Sequence, residues 1–380
     1  MSKSNLVVIF LSMLLFLSAC KKENTEFVRI SSSLGDTVAL QGLSGTEVRN
    51  STISGSQPGD NAMRSVFVDL SKDVQTQVLR SSWDLGFACN NENFTVILNH
   101  SRGATAAQLD KIDITTVGEA DTSALLAGKT LELGNSFTNI DPVDGIFTNY
   151  LAGTVFKQIS ATTADNKVFI VNRGLSGLLK ADGTPIQPIW EKVQVTRNTT
   201  GNGYIVKYGR IGLAVTTLEV FKDPAFNFQY ISFIGGRVAV EPAKALWDIQ
   251  WTYSTYKTSA TTPVAVAVPD FVLINFAGGV TASEIKYTSA AEAERAYAGF
   301  SASNLEGLVY SAERDVIGTN WRTISTTGTT STVNRDRLYV IKDAKNNIYV
   351  LRFNSFTSAD GGTRGLPVIA YKRIQEGAED

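Results

Sequence analysis

The sequence is poor in the residues that most enzymes and metal sites depend on. Its 380 residues include one histidine, two cysteines and three methionines. The single histidine, His100, excludes metal sites built on two or three histidine ligands. A Ser-His-Asp triad would need His100 as its base, yet no Gly-x-Ser-x-Gly turn is present. Phosphate-binding glycine loops and dinucleotide-binding motifs are also missing, so the sequence gives no support for an enzyme.

Excess charge of either sign is also lacking. The formal net charge is −1, which gives no indication of nucleic acid or an anionic lipid surface as a partner. An apolar run, Leu6 to Phe16, follows Lys3 and precedes a small-residue sequence that ends in Cys20. The run is too short to span a membrane, and the pattern is typical of a bacterial lipoprotein signal peptide, residues 1–20. A plain signal peptide with an incidental cysteine is the alternative.

Lipidation of Cys20 would leave a mature chain of 361 residues (380 − 19), enough for two domains of ordinary size. The lipid would hold the protein to a membrane. Cys89 would then have no partner for an intrachain disulfide, and we expect it to be a small buried residue. Residues 21–62 are rich in Ser, Thr, Gly and Asn, which predicts a flexible polar tether.

The rest of the chain contains an internal repeat. Trp83-Asp84-Leu85-Gly86-Phe87 returns as Trp247-Asp248-Ile249-Gln250-Trp251. The segment from Asn99 to Ala106 returns from Asn275 to Ala282, 176 residues later (275 − 99). Short runs of aromatic and β-branched residues with polar breaks predict antiparallel strands. The sequence therefore predicts an all-β fold with few short helices, built from two related modules at residues 63–225 and 226–375.

Finer features follow from the same alignment. Capping boxes at Thr105, Thr281 and Ser289 predict three helix starts. Further along, Tyr204–Tyr208 aligns with Tyr349–Phe353. This last pair has a shift of 145 residues (349 − 204), against 170 (337 − 167) for the preceding strand, which predicts a 25-residue insertion in the first copy.

A few side chains are candidates for chemistry. Asp84 and Asp248 each follow a tryptophan and could be paired catalytic acids, although a shared structural role at a turn or sheet edge is favoured. His100 follows a strand at the rim of a loop, where its ring could bind iron or haem. A surface histidine bonded to a neighbour is the favoured alternative, since Phe276 takes this place in the second copy. Met63 is interpreted as packing or linker.

Both ends of the repeat region resemble the HmuY family. The opening carries Phe67-Val68-Asp69-Leu70, then the Trp83 motif, and then a strand that closes on Asn99 with Gly103 nearby. The closing strands are Leu338–Lys342, Ile348–Phe353 and Pro367–Lys372. Members of this family are all-β lipoproteins of Bacteroidetes-type bacteria, and the founding members bind haem for uptake. The likeness covers most of residues 66–374, as two tandem copies.

The resemblance implies a non-enzymatic binding lipoprotein on the outer membrane or cell surface. Its ligand would be haem or another hydrophobic molecule, and its partner a protein of the outer membrane. Haem-binding members hold the iron with two His or two Met side chains, but residues 110–165 and 283–325 contain neither type. No axial ligand can be transferred, so no cofactor is expected. An adhesive or structural surface lipoprotein that binds a protein or glycan is the alternative.

Three tyrosines in the second copy, Tyr287, Tyr297 and Tyr310, are the remaining candidates for single-point ligation of haem iron. Packing and hydrogen bonding explain them at least as well.

Overall fold

The computed structural model describes residues 64–134, 137–142, 153–174, 190–257, 265–324, 331–357 and 364–377, together with four short strand segments at 27–29, 37–39, 49–50 and 178–179. Cys20, Met63, the signal peptide and most of the predicted tether lie outside the described residues. Within them the chain is almost entirely antiparallel β-sheet, which confirms the predicted all-β class.

Two sheets contain the Trp-Asp strands. The first has, in order across the sheet, β1 (Phe27–Arg29), β5 (Val74–Leu79), β4 (Arg64–Asp69), β16 (Ile249–Lys257) and β17 (Ala265–Ile274). The second has β15 (Gly236–Val238), β14 (Phe228–Ser232), β6 (Leu85–Ala88) and β7 (Val96–Leu98). Each of these sheets takes strands from both predicted modules. The division of the chain at residue 225 therefore does not divide the sheets.

Two further sheets contain the later strands of each half. The third sheet has the order β13 (Thr216–Phe221), β12 (Gly203–Arg210), β11 (Trp190–Arg197), β9 (Val168–Asn172) and β8 (Thr105–Gln108). The fourth has β18 (Thr281–Lys286), β21 (Arg337–Lys342), β22 (Ile348–Thr357), β23 (Arg364–Gln375) and β2 (Thr37–Ala39). Short two-stranded pairs join β3 (Arg49–Asn50) to β10 (Leu178–Leu179) and β19 (Arg322–Ile324) to β20 (Ser331–Val333).

Sheet order corrects one part of the sequence alignment. β22 pairs with β21, just as β11 pairs with β9. The sequence aligned β22 with β12 instead, so that alignment, and the insertion inferred from it, are wrong in sheet position. The aromatic and β-branched pattern is common to all of these strands and does not distinguish neighbours.

The helix predictions have mixed outcomes. Helix α1 (Glu119–Ala127) and helix α2 (Ala290–Gly299) are the two α-helices of the described residues. α2 begins as its capping box predicts, with Ser289 Oγ accepting a hydrogen bond from the Glu292 amide. The boxes at Thr105 and Thr281 instead open β8 and β18, so those two predictions are wrong. Pairing with β9 and β21 satisfies the backbone there, and tertiary context overrides the local signal.

The four main sheets stack in layers. In β4, Val66 and Val68 point into a core shared with the fourth sheet, while Phe67 points to the opposite face. β7 does the same with Val96 and Leu98 against the third sheet, leaving Ile97 on the other face. The period-two alternation of a strand thus gives the layer order fourth, first, second, third. The first and second sheets are buried on both faces and meet in a middle core.

Candidate functional site

The two tryptophans of the repeat anchor the middle core, as the sequence predicts. Trp83 and Trp247 are 4% and 7% exposed. The Trp83 ring meets the Tyr230 ring edge-on, with 4.9 Å between ring centroids. Trp247 meets Phe67 in the same way at 5.0 Å. Each pair joins residues that are more than 140 positions apart in sequence.

An asparagine fixes the backbone of each tryptophan. Asn99 Nδ2 donates to the Trp83 carbonyl at 2.7 Å, and Asn275 Nδ2 donates to the Trp247 carbonyl at 2.8 Å. A turn of 3-10 helix follows each asparagine and ends at a glycine with positive φ, Gly103 at 65° and Gly279 at 96°. Residues with a Cβ rarely adopt this left-handed conformation, which explains the recurring Asn-x-x-x-Gly pattern.

The aspartates beside the tryptophans have a structural role. Asp84 Oδ2 accepts a hydrogen bond from the Phe233 amide at 2.8 Å, and Asp248 Oδ2 accepts one from the Leu70 amide at 2.7 Å. Both carboxyl groups are buried. Their bonds lock one strand of the first or second sheet onto its neighbour, which is the role the sequence favours over catalysis.

A cavity of about 50 Å³ lies between the two tryptophans. Apolar and aromatic side chains supply most of its wall, namely Phe67, Trp83, Ile97, Phe228, Tyr230, Val240, Trp247, Leu273 and Phe276. Polar side chains interrupt the wall at His100, Asn227, Glu241, Gln250, Asn275 and Arg314. A second cavity of about 250 Å³ shares Asn227, Phe228 and Ala277 with the first. The two spaces are therefore neighbours behind one wall.

His100 lies in this cavity wall rather than at a rim. It is 9% exposed, and its ring packs edge-on against Trp83 with 6.0 Å between centroids. The favoured sequence interpretation, a surface histidine, is therefore wrong. The cause is the strand-to-turn junction at Asn99, which points inward because both neighbouring sheets are covered. Phe276, its counterpart in the second copy, lines the same cavity.

Burial controls the charge of His100. Desolvation lowers its pKa to about 3, nearby Arg314 adds to this, and a hydrogen bond to the Tyr253 backbone opposes it. The imidazole is therefore neutral at ordinary pH. A neutral ring that donates through one nitrogen keeps the other as an acceptor. Nδ1 has no hydrogen-bond partner among the described residues, and neither does the Trp247 Nε1–H donor.

Glu241 is the other titratable group that the cavity desolvates. Burial raises its pKa to about 8, although the Phe228 amide donates to its Oε1 at 2.7 Å and partly opposes the shift. The carboxyl group is therefore mostly protonated at neutral pH. With His100 and Glu241 both neutral, the cavity favours an uncharged occupant.

Sequence reasoning missed Glu241, Asn227 and Arg314 as cavity residues. None belongs to a repeated motif, and each comes from a segment whose placement depends on contacts across the sheets. No local signal marks them. By contrast, His100, Trp83 and Trp247 all belong to the repeat and could be singled out.

The remaining candidates lie elsewhere. Cys89 is a free, buried cysteine, as predicted, and desolvation raises its pKa to about 11, which keeps it a thiol. It lines the second cavity. Tyr287, Tyr297 and Tyr310 pack in a separate core beside α2 and line neither cavity. Packing explains them.

The cavity does not fit haem as it stands. Pockets that hold a ligand of that size measure at least about 300 Å³, whereas this one measures about 50 Å³. Its wall offers one imidazole and, among its lining residues, no second histidine, cysteine or methionine. No step of an iron-centred chemistry can be derived from these residues.

Two searches of the described ranges returned nothing. Among them no group of three or more His, Cys, Asp or Glu side chains could hold a metal ion. In the same part of the chain, no helix has the length and apolar character needed to cross a bilayer.

Comparison with known proteins gives one extensive match. The family model described as HmuY protein matches residues 61–371. A candidate HmuY-like haem-binding protein from Bacteroides vulgatus ATCC 8482 is 14% identical, over 43% of this chain and 81% of that one, with a TM-score of 0.21. A candidate lipoprotein from Bacteroides fragilis NCTC 9343 is also 14% identical, over 48% and 90%, with a TM-score of 0.22. No curated protein matches the chain.

Proposed function

The chain belongs to the HmuY family, and on that premise we propose that it is a lipid-anchored, non-enzymatic binding protein of a bacterial outer membrane or cell surface. Its ligand is a small, uncharged and largely apolar molecule held between Trp83 and Trp247. The lipid is attached at Cys20, where the signal sequence ends. A protein of the outer membrane is the partner that would deliver or receive the ligand.

One observation carries the ligand proposal. The cavity wall contains a buried acceptor, His100 Nδ1, and a buried donor, Trp247 Nε1–H, and neither has a partner among the described residues. Buried polar atoms are normally hydrogen-bonded, and leaving one unpaired costs about 1–3 kcal/mol. A ligand or ordered water that satisfies both atoms recovers this free energy. Unpaired atoms in an otherwise aromatic wall are typical of a binding site.

The size of the site limits the ligand. A space of about 50 Å³ holds a few water molecules at about 10–15 Å³ each. A larger ligand needs the neighbouring cavity of about 250 Å³, which shares Asn227, Phe228 and Ala277 with the first. The ligand would then place its polar group near His100 and its apolar part toward the larger space.

Phenol and toluene are suitable probes, since they share a ring and differ in the hydroxyl that can donate to His100 Nδ1. The readout is tryptophan fluorescence of the chain without residues 1–20. Phenol should bind more tightly than toluene, by about three- to tenfold for one net hydrogen bond. His100→Phe, which copies the residue at Phe276, should remove that preference and leave toluene affinity unchanged.

Two results would contradict the proposal. Equal affinities for phenol and toluene in the wild-type chain would mean that the unpaired atoms bind water only. Binding of neither probe at millimolar concentration would remove the ligand site altogether, and would favour the alternative of an adhesive lipoprotein that recognises a protein or glycan.

A further inference from the structure

The two Trp-Asp strands pair with each other's opening strands. In the first sheet, Val68 of β4 lies opposite Ile249 of β16. In the second sheet, Ile231 of β14 lies opposite Leu85 of β6. The two pairs are equivalent, since Ile231 follows Val68 by 163 residues (231 − 68) and Ile249 follows Leu85 by 164 (249 − 85). The next two pairs on each ladder keep the same offsets.

The hydrogen bonds around these strands repeat in the same crossed manner. The Asp248 amide donates to the Val68 carbonyl at 2.7 Å, and the Asp84 amide donates to the Ile231 carbonyl at 2.8 Å. The bonds made by the two carboxylates, described above, have the same offsets. Each aspartate therefore holds the opening hairpin of the other half.

The aromatic contacts are crossed as well. Trp247 packs on Phe67 at an interplanar angle of 80°, and Trp83 packs on Tyr230 at 78°. Phe67 and Tyr230 differ by the same 163 residues (230 − 67). Registers, aspartate bonds and ring contacts are three separate sets of observations that obey one two-fold relation.

We propose that the chain consists of two tandem copies that have exchanged their opening hairpins, β4–β5 and β14–β15, about a pseudo-two-fold axis. The free edge of each hairpin is an interaction surface, and the partner it takes is the Trp-Asp strand of another copy of the same fold. The cavity lies at this exchange, so each copy must supply a hairpin and a tryptophan to complete it. This arrangement does not depend on which ligand the cavity holds.

A short linker explains why the first hairpin cannot pair within its own copy. β6 on the free edge of β4 would run parallel to β5, and such a return needs a connection of a dozen or more residues. Only residues 80–84 separate β5 from β6, and Arg80–Ser82 form a turn of 3-10 helix. The chain therefore continues into the next sheet, and β16 fills the vacant edge of β4.

Paired cysteines can distinguish exchange from its absence. Ser65 Oγ lies 2.6 Å from Thr252 Oγ1, so S65C/T252C should form a disulfide with little strain. The counterpart of Thr252 in the first copy is Ala88 (252 − 164), which Ser65 would face if the hairpins were not exchanged. S65C/A88C is thus the matched control. Both variants are made as C89A chains without residues 1–20, and disulfides are measured by mass spectrometry after mild oxidation.

Exchange predicts a disulfide in S65C/T252C and free thiols in S65C/A88C. The reverse pattern, or equal cross-linking of both pairs, would overturn the proposal. Should both variants fail to fold, a protease site inserted between the exposed Pro224 and Ala225 of the otherwise unchanged chain gives a second test. After cleavage the two fragments should co-elute under native conditions and separate only in denaturant. Fragments that separate without denaturant, each still folded, would also overturn it.

Discussion

Replacing the two equivalent aspartates by asparagine should change stability in opposite directions. Asp84 forms a buried ion pair with Arg173, whose Nε lies 2.6 Å from Oδ1 and whose second nitrogen lies 2.9 Å from Oδ2. Asp248 is equally buried, but its neighbours Asp69 and Asp343 are also acidic. We expect Asp84→Asn to destabilise the protein and Asp248→Asn to stabilise it at neutral pH.

The magnitude for Asp248 follows from its pKa. Burial raises this pKa to about 8, the Leu70 amide opposes the shift, and the nearby acids add to it. In the unfolded chain the carboxyl group titrates near pH ~3.9. Stability is therefore fully present below pH ~3.9 and falls by about 1.4 kcal/mol per pH unit until pH passes the folded pKa. Asparagine cannot ionise, so the gain at pH 7 has an upper limit of about 4 kcal/mol.

For Asp84 the loss should be about 3–5 kcal/mol, because the substitution leaves Arg173 buried without its counter-ion. Guanidinium unfolding of the chain without residues 1–20, followed by tryptophan fluorescence, gives both free energies of unfolding. At pH 5 the gain in Asp248→Asn should shrink to about 1–2 kcal/mol, while the loss in Asp84→Asn should persist. An Asp248→Asn protein that is less stable than wild type at pH 7 would refute the desolvation argument.

Three further predictions concern the anchor, the core and haem. Cys20→Ser should give an unprocessed precursor, and an unchanged mature mass with an unchanged membrane fraction would contradict lipidation. Trp83→Ala and Trp247→Ala should each lower the free energy of unfolding by about 3–5 kcal/mol, the usual cost of truncating a buried aromatic residue; a loss below about 1 kcal/mol in denaturant unfolding would mean that the residue is not an anchor. An Fe(III) protoporphyrin titration should show no six-coordinate Soret band, since the cavity offers one imidazole; sub-micromolar affinity with a sharp band that is lost in His100→Ala would establish His100 as an axial ligand.

Local sequence signals predicted those features that depend on residues close together in the chain. The strand class followed from alternating apolar residues, and the start of α2 followed from Ser289 and Glu292. The recurrence of Trp-Asp and Asn-x-x-x-Gly identified the residues that border the cavity. Burial of Trp83, Trp247 and Cys89 also followed, because large aromatic residues and free cysteines are seldom exposed in strands.

The same signals failed where long-range pairing decides the outcome. Thr105 and Thr281 have the residues of a helix start, yet β9 and β21 offer their backbones a sheet edge. Asp84 and Asp248 are identical in local sequence, but only Asp84 meets an arginine. Their opposite electrostatic environments depend on what stands at the far end of another strand.

The sequence by itself determined the all-β class, the family and the repeated Trp-Asp framework, since these depend on residue type and spacing. Only the tertiary structure decided which strand lies beside which, and with it that His100 faces a cavity instead of solvent. A strand presents the same hydrogen-bonding edge to every neighbour, so its sequence does not specify its partner. The length of the linker between Leu79 and Leu85 and the packing of four layers make that choice.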